Sequence, residues 1–214
     1  MEFPFDIYLG QDTKAAVLAE YLFGAGRGCK NLVCLTIGTG IGSGIIINGK
    51  VYFGTYGTAG EIGHMIVKIN GNKCNCGMSG CLEAHASGSY IANKAMELIK
   101  GNKKILNGKD VFVLAKKGNK TSLDIINEAT EYLGISLVNI LNILGPEKII
   151  ISGGLSNENE LIINVLDRYI KEKGYLVAAE KVKVVKAELG VYAPMVGAAM
   201  FYHDDSFKYT RIRK

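Results

Sequence analysis

The chain has 214 residues, 48% hydrophobic and 21% charged, with a formal net charge of +5. That length and apolar share support a packed core in one or two domains and exclude a disordered chain, even without Trp. No apolar run reaches the roughly 18–20 residues that span a bilayer, and Met1–Asp6 lacks the pattern of an export signal; a cytoplasmic protein with no membrane partner is expected.

Along the chain, Phe5 to Leu9 alternates weakly and reads as a short strand. Thr13 to Phe23, rich in Ala and Leu at helical spacing, predicts a helix with Asp12 or Thr13 near its N-cap. Leu32 to Ile37 predicts a strand, Gly38 to Gly44 a turn, and Ile45 to Ile47 the returning strand. Asn48-Gly49 signals a hairpin into Val51 to Phe53, which completes an antiparallel meander. A glycine-punctuated stretch, Gly54 to Gly63, leads to a cysteine loop. Helical spacing resumes over Ser87 to Ile99, Asp110 to Lys117 and Ser122 to Leu144, and Gly145-Pro146 stops it. Lys148 to Ser152 reads as a buried strand, Glu158 to Lys173 as a helix, Val182 to Ala187 as a strand and Pro194 to Tyr202 as a last helix. This order predicts an α/β fold with a mixed sheet.

The positive charge is local. Lys100 to Lys120 holds seven lysines against Asp110, and the tail adds Lys208, Arg211, Arg213 and Lys214. Without aromatic interleaving or a binding motif this reads as solvated surface rather than a nucleic-acid site, so no nucleic-acid partner is expected. Glycine is enriched: 27 residues, about 13% against a usual ~7%. Sixteen of them lie from Gly24 to Gly88, which marks tight turns or close approach to a ligand.

Three of the five cysteines, Cys74, Cys76 and Cys81, crowd into eight residues, and His64 precedes them. One imidazole and three thiolates suit tetrahedral Zn²⁺, and four protein ligands close the site, which predicts a structural rather than a catalytic ion. The alternative is a loop of reduced thiols. Gly38-Thr39-Gly40-Ile41-Gly42, between two strands, is either a bare hairpin or a cradle of backbone N–H groups for phosphate. It is neither a Walker loop, lacking Gly-Lys-Ser/Thr, nor a dinucleotide fingerprint, since it leads into a strand. Asp12, Glu61 and Glu83 stand beside glycines, either as surface acids or as acceptors for paired sugar hydroxyls.

Taken in order, these segments resemble the ROK family of sugar kinases and sugar-responsive repressors, its glucokinase-like members above all. The likeness rests on Gly24-Ala25-Gly26-Arg27-Gly28, Leu35 to Gly42, Gly60-Glu61-Ile62-Gly63-His64, Cys74-x-Cys76-Gly77-x-x-Gly80-Cys81-Leu82-Glu83, Ile149 to Gly154 and Val196-Gly197-Ala198-Ala199. The resemblance implies an actin-like (ribonuclease-H-like) ATPase fold, mainly its C-terminal lobe, over residues 1–205 with a zinc- and sugar-binding loop at 61–83 and a basic tail at 206–214. It further implies ATP with Mg²⁺ and a hexose as ligands. By the same resemblance Asp12 is the catalytic base, and Gln11, Asp12, Glu61, His64 and Glu83 hold the sugar. Gly38, Thr39, Gly40 and Gly42 hold phosphate, and Gly153 and Gly154 the adenosine side. The metal ligands it implies are His64, Cys74, Cys76 and Cys81.

Gln11 and Lys14 depart from the family pattern, which has Asn at both places, and no Asp-x-Gly-Gly-Thr phosphate loop occurs in the chain. The leading expectation is therefore a hexose kinase, with glucose as substrate. Its alternative is a truncated, catalytically impaired sugar-binding lobe; a repressor, which needs a helix-turn-helix before Asp12, is disfavoured. An uncovered lobe surface predicts association into a homo-oligomer.

Overall fold

Branched apolar runs build the sheet, and turn chemistry orders it. The computed structural model describes residues 7–99, 107–204 and 211–212. The chain begins with β1 (Ile7–Tyr8) and α1 (Asp12–Phe23). β2 (Leu32–Ile37), β3 (Ile41–Ile47) and β4 (Lys50–Val51) pair antiparallel. Asn48 (φ 51°) and Gly49 (φ 77°) make the tight turn between β3 and β4, a left-handed pair that suits the twist of a hairpin. Helices α2 (Glu83–Ala86), α3 (Gly88–Leu98), α4 (Gly108–Lys116) and α5 (Lys120–Leu144) follow. The rest is β5 (Lys148–Ser152), α6 (Asn164–Lys173), α7 (Leu176–Lys181), β6 (Lys183–Lys186), α8 (Ala193–Ala199) and β7 (Arg211–Ile212).

The main sheet runs β4-β3-β2-β5-β6, with β5 and β6 joining β2 in parallel. Strand side chains alternate between two apolar layers. Val33, Leu35, Ile37, Ile149 and Ile151 enter the core shared with α3–α6. Leu32, Cys34, Ile46 and Ile150 enter the core beneath α1. α8 closes on α1 through Ala16, Ala19 and Ala193, and a side chain at Gly197 would overlap the Ala15 carbonyl. The result is a helix–sheet–helix sandwich with the sheet ends and their turns at one edge.

Caps set the helix starts. Ser87 Oγ accepts from Tyr90 N–H at 3.2 Å, and Asn119 Oδ1 from Ser122 N–H at 2.8 Å. Asn107 and Asp110 form a capping box before α4. Gly145, at φ 52°, ends α5.

Several boundaries differ from the sequence reading. α1 starts one residue earlier than expected, at Asp12; Gln11 is the cap, its carbonyl accepting from Lys14 and Ala15 N–H, and Asp12 and Thr13 stand next to it as expected. β3 starts at Ile41 and pairs Gly42 with Thr36, which shortens the expected Gly38–Gly44 turn to three residues. The expected helix from Glu158 splits into a short π segment, Asn159–Ile163, and α6. α2 and α7 were not foreseen. In the basic tail, Arg211–Ile212 pairs antiparallel with Ile7–Tyr8, while Phe5 and most of the lysine-rich 100–106 and 205–214 segments lie outside the described residues.

Candidate active site and metal centre

The N-terminus of α1 and the β2–β3 turn meet in a cleft of about 390 Å³. Its walls include Gln11, Asp12, Gly38, Thr39, Gly40, Gly42, Glu61 and Glu83. Thus the structure brings together four of the five expected sugar-holding residues and the whole expected phosphate loop. Asp12 is the first residue of α1, and its Oδ1 accepts from Thr13 N–H at 2.8 Å, which leaves Oδ2 for a ligand. Gln11 Nε2 donates to Glu61 Oε1 at 3.0 Å. Glu83 heads α2, and its Oε2 accepts from Ile41 N–H at 2.8 Å, which pins the loop exit. A side chain at Gly40 would overlap that carboxylate.

The Gly38–Gly42 loop is closed on itself. Gly38 N–H donates to the Gly40 carbonyl at 2.9 Å, and Gly88 N–H donates to the Gly38 carbonyl at 2.8 Å. Among the described residues, the N–H groups of Thr39 and Gly40 have no protein partner, which suits them to phosphate oxygens. On the far side of the loop lies a second cavity of about 500 Å³, lined by Gly38, Thr39, Ser89, Asn93, Lys109 and Gly154, among others. Gly153 stands behind this wall. Its φ of 86° and its approach to the Ile37 backbone leave no room for a Cβ. Sequence reasoning did not single out Ser89, Asn93 and Lys109; the Asn107-x-x-Asp110 capping spacing marks only the start of α4, the helix that carries Lys109.

The four candidate metal-ligating residues assemble in a separate knuckle. Cys74 Sγ is 3.7 Å from His64 Nδ1, Cys76 Sγ is 3.6 Å from Cys81 Sγ, and all four ligand atoms lie within 4.8 Å of one another. A tetrahedron with Zn–S of about 2.3 Å and Zn–N of about 2.0–2.1 Å has edges near 3.5–3.8 Å. The four residues therefore fit Zn²⁺. The backbone shapes the knuckle: Cys74 N–H donates to the Met78 carbonyl at 2.8 Å and Gly77 N–H to the Cys74 carbonyl at 3.0 Å. The backbone N–H at Met78 lowers the Cys76 thiol pKa, whereas burial pushes Cys81 up to about 12. Such a thiol ionises only beside a cation, which a divalent metal supplies.

His64 stands with the cysteines and is not among the residues lining the Asp12 cleft. His85 staples the knuckle to α2. Its Nε2 accepts from Asn72 N–H at 3.0 Å, and Asn72 Nδ2 donates to the Ala84 carbonyl at 3.0 Å. The accepting role puts the proton of the neutral ring on Nδ1, which is buried without a hydrogen-bond partner among the described residues. Burial, aided by Lys68 and Lys94 and opposed by Glu128, lowers the His85 pKa.

The mixed sheet between helix layers, with ligand-facing turns at one edge, is the α/β architecture of an actin-like lobe. The chain belongs to the ROK family, whose model matches residues 1–205. It is 34% identical over 203 residues to a glucokinase of Halalkalibacterium halodurans, a match covering 89% of this chain and 62% of that protein. It is 30% identical over 198 residues to the xylose repressor of Bacillus subtilis, covering 92% of this chain and 50% of that protein. The crystal structure of a ROK family glucokinase from Streptomyces griseus in complex with glucose and AMPPNP superposes with a TM-score of 0.78 at 32% identity. That match covers 89% of this chain and 66% of that one, so the chain spans only part of the length of each of these relatives. Among the described residues no helix is long and apolar enough to cross a membrane.

Proposed function

We propose that this chain carries the base-bearing, sugar-binding half of a ROK-type sugar kinase, which transfers the γ-phosphate of ATP to a hexose. The observation that carries the reading is one cleft holding Asp12, Glu61, Gln11 and Glu83 over the Gly38–Gly42 loop. Identity to glucokinases favours glucose as the hexose.

In this reading Glu61, Glu83 and Gln11 orient the sugar hydroxyls; the family resemblance adds His64, which stands in the metal knuckle and not in the cleft wall. Asp12 accepts the proton of the attacking hydroxyl, the hydroxyl oxygen bonds to the γ-phosphorus, and the bond to the β-phosphate oxygen breaks to release ADP. Thr39 and Gly40 N–H hold phosphate oxygens as charge develops. Mg²⁺ bound with ATP would supply charge neutralisation there. The second cavity, with Gly154, takes the adenosine side. Zn²⁺ on His64, Cys74, Cys76 and Cys81 would hold the segment that carries Glu61 and Glu83 in place. A second reading, sugar binding without phosphoryl transfer, is favoured by the match to the xylose repressor.

Hexose titration calorimetry and ADP release, run on wild type and Asp12→Asn, test both. The kinase reading expects hexose binding in both proteins and turnover about 10²–10⁴-fold lower in Asp12→Asn. Binding without turnover, both in the wild-type chain and in a fusion that supplies the first lobe of a ROK family kinase, selects the second reading. Equal turnover in both proteins overturns Asp12 as the base.

A further inference from the structure

Lys14 is the least economical placement in the cleft wall. Its side chain is 1% exposed, one of the largest fully buried ones among the described residues. It lies in the first turn of α1, where the helix dipole disfavours a cation. Burial pulls its amine pKa below the usual lysine value, and the Glu61 carboxylate partly restores it. A helix chosen for packing alone would carry a small apolar residue here, as it does at Ala15 and Ala16.

What the amine touches explains the placement. Lys14 Nζ donates to Gln11 Oε1 and stands 5.6 Å from the centre of the Phe53 ring. Gln11 Nε2 then donates to Glu61 Oε1. An ammonium offers donors only, so it admits one orientation of the Gln11 amide, carbonyl inward and NH₂ toward the cleft. The flipped amide would set two acceptors, Gln11 Oε1 and Glu61 Oε1, against each other.

We propose that Lys14 is a positioning residue that, through Gln11, fixes Glu61 and sets the donor–acceptor order of the hexose subsite. This rests on the kinase-lobe reading and deepens it. Glu61 Oε1 is committed to Gln11, so Oε2 is left to accept from a sugar hydroxyl. The second N–H of Gln11 is left to donate to a neighbouring sugar oxygen. The subsite therefore selects a sugar that presents a hydroxyl to Glu61 beside an oxygen acceptor, and it rejects the deoxy analogue that lacks that hydroxyl.

The test is Lys14→Met, which keeps the stem and removes the amine, alone and combined with Gln11→Ala. Calorimetry should show hexose affinity about 3- to 10-fold weaker in Lys14→Met, with the thermal midpoint unchanged or higher. In the Gln11→Ala background the same change should have no further effect on affinity, because the link is gone. In the sugar-free protein, the Gln11 side-chain amide signals of ¹H–¹⁵N spectra should be protected from exchange in wild type and lose protection in Lys14→Met. Gln11→Glu, on an exposed side chain, tests the same link if Lys14→Met does not fold: it still accepts from Lys14 but repels Glu61, and affinity should fall. Equal hexose affinity in wild type and Lys14→Met, or equal protection of the Gln11 amide, overturns the inference and leaves the kinase-lobe reading standing. A wild type that binds no hexose overturns that reading and the sugar selection together, while the amide signals still decide whether Lys14 positions Gln11.

Discussion

Asp12 and Glu61 face each other across one cleft, yet different forces hold them. Asp12 rides on α1, whose Ala15, Val17 and Leu18 are sunk in the core under β2 and β3. Glu61 precedes a three-residue 3₁₀ turn, Ile62–His64, in a segment whose deeply buried apolar anchors include Ile62 and Leu82. Between those anchors run turn hydrogen bonds and the four metal ligands. A packed helix resists displacement because every shift exposes apolar surface. A loop without a core resists only through its cross-links. The cleft is therefore held on one side by burial, and on the other it would be held by coordination once Zn²⁺ is bound, so the two sides should fail separately.

Removing the metal should break the comparison most sharply. Structural zinc sites carry an apparent binding free energy of about 10–16 kcal/mol in small peptides. Chelation, or Cys81→Ser, is expected to abolish a one-to-one zinc content by elemental analysis and to loosen the 61–83 segment. Hexose binding should go with it, while far-UV circular dichroism retains the sheet and the α1 side of the cleft. Full zinc content in Cys81→Ser would show that the ligand set is wrong.

The reverse damage comes from the core. Leu35 is fully buried on β2. Leu35→Ala should cost about 2–5 kcal/mol in denaturant unfolding, through lost apolar burial and a cavity. Zinc content of the folded fraction should stay unchanged. A metal loss that tracks the stability loss would mean the two walls are one cooperative unit.

The smallest effect sits at the staple between the two regions. His85 is held neutral in the folded chain with a lowered pKa, so the unfolded chain takes up the proton first as pH falls below about 6.5. Stability is then complete above that value and declines as pH falls toward the lowered folded pKa. His85→Gln should flatten this acid-side slope in urea titrations between those limits. An unchanged slope would place its source elsewhere.

Much of the sheet was legible because its signals are local. Leu32–Ile37 and Lys148–Ser152 are short apolar runs between turn residues, and they became the two central strands with matching bounds. Asn48-Gly49 and Gly145-Pro146 acted where they stand, since left-handed φ values are a property of the residue and its neighbours. α2 escaped notice because four residues carry no helical period, and it is held through hydrogen bonds of Ala84 and His85 to Cys81 and Asn72 rather than by a period of its own. The break before α6 escaped for the opposite reason: the apolar spacing continues through Asn159–Ile163 while the hydrogen-bond pattern changes. In the site, residue type and spacing singled out His64, Cys74, Cys76 and Cys81, whose candidate ligand atoms the fold gathers within 4.8 Å of one another. Lys14 was visible only as a departure from the family pattern, and Gln11 as a departure that still takes the place of a sugar-holding residue.

Residue chemistry within a few positions was enough to specify the hairpin, the strand runs, the helix stops and a Cys₃His ligand set, because each depends on backbone preference or ligand type over a short span. The pairing of Gln11 with Glu61, fifty residues apart, depends on α1 lying across β3 at Gly42 and Gly44. The burial of Lys14 has the same origin: nothing local predicts that a lysine will be enclosed, and only the closing of Phe53, Gln11 and Glu61 around the start of α1 removes it from water. Long-range packing chooses which polar groups meet, since desolvation and charge act through space and take no account of sequence separation.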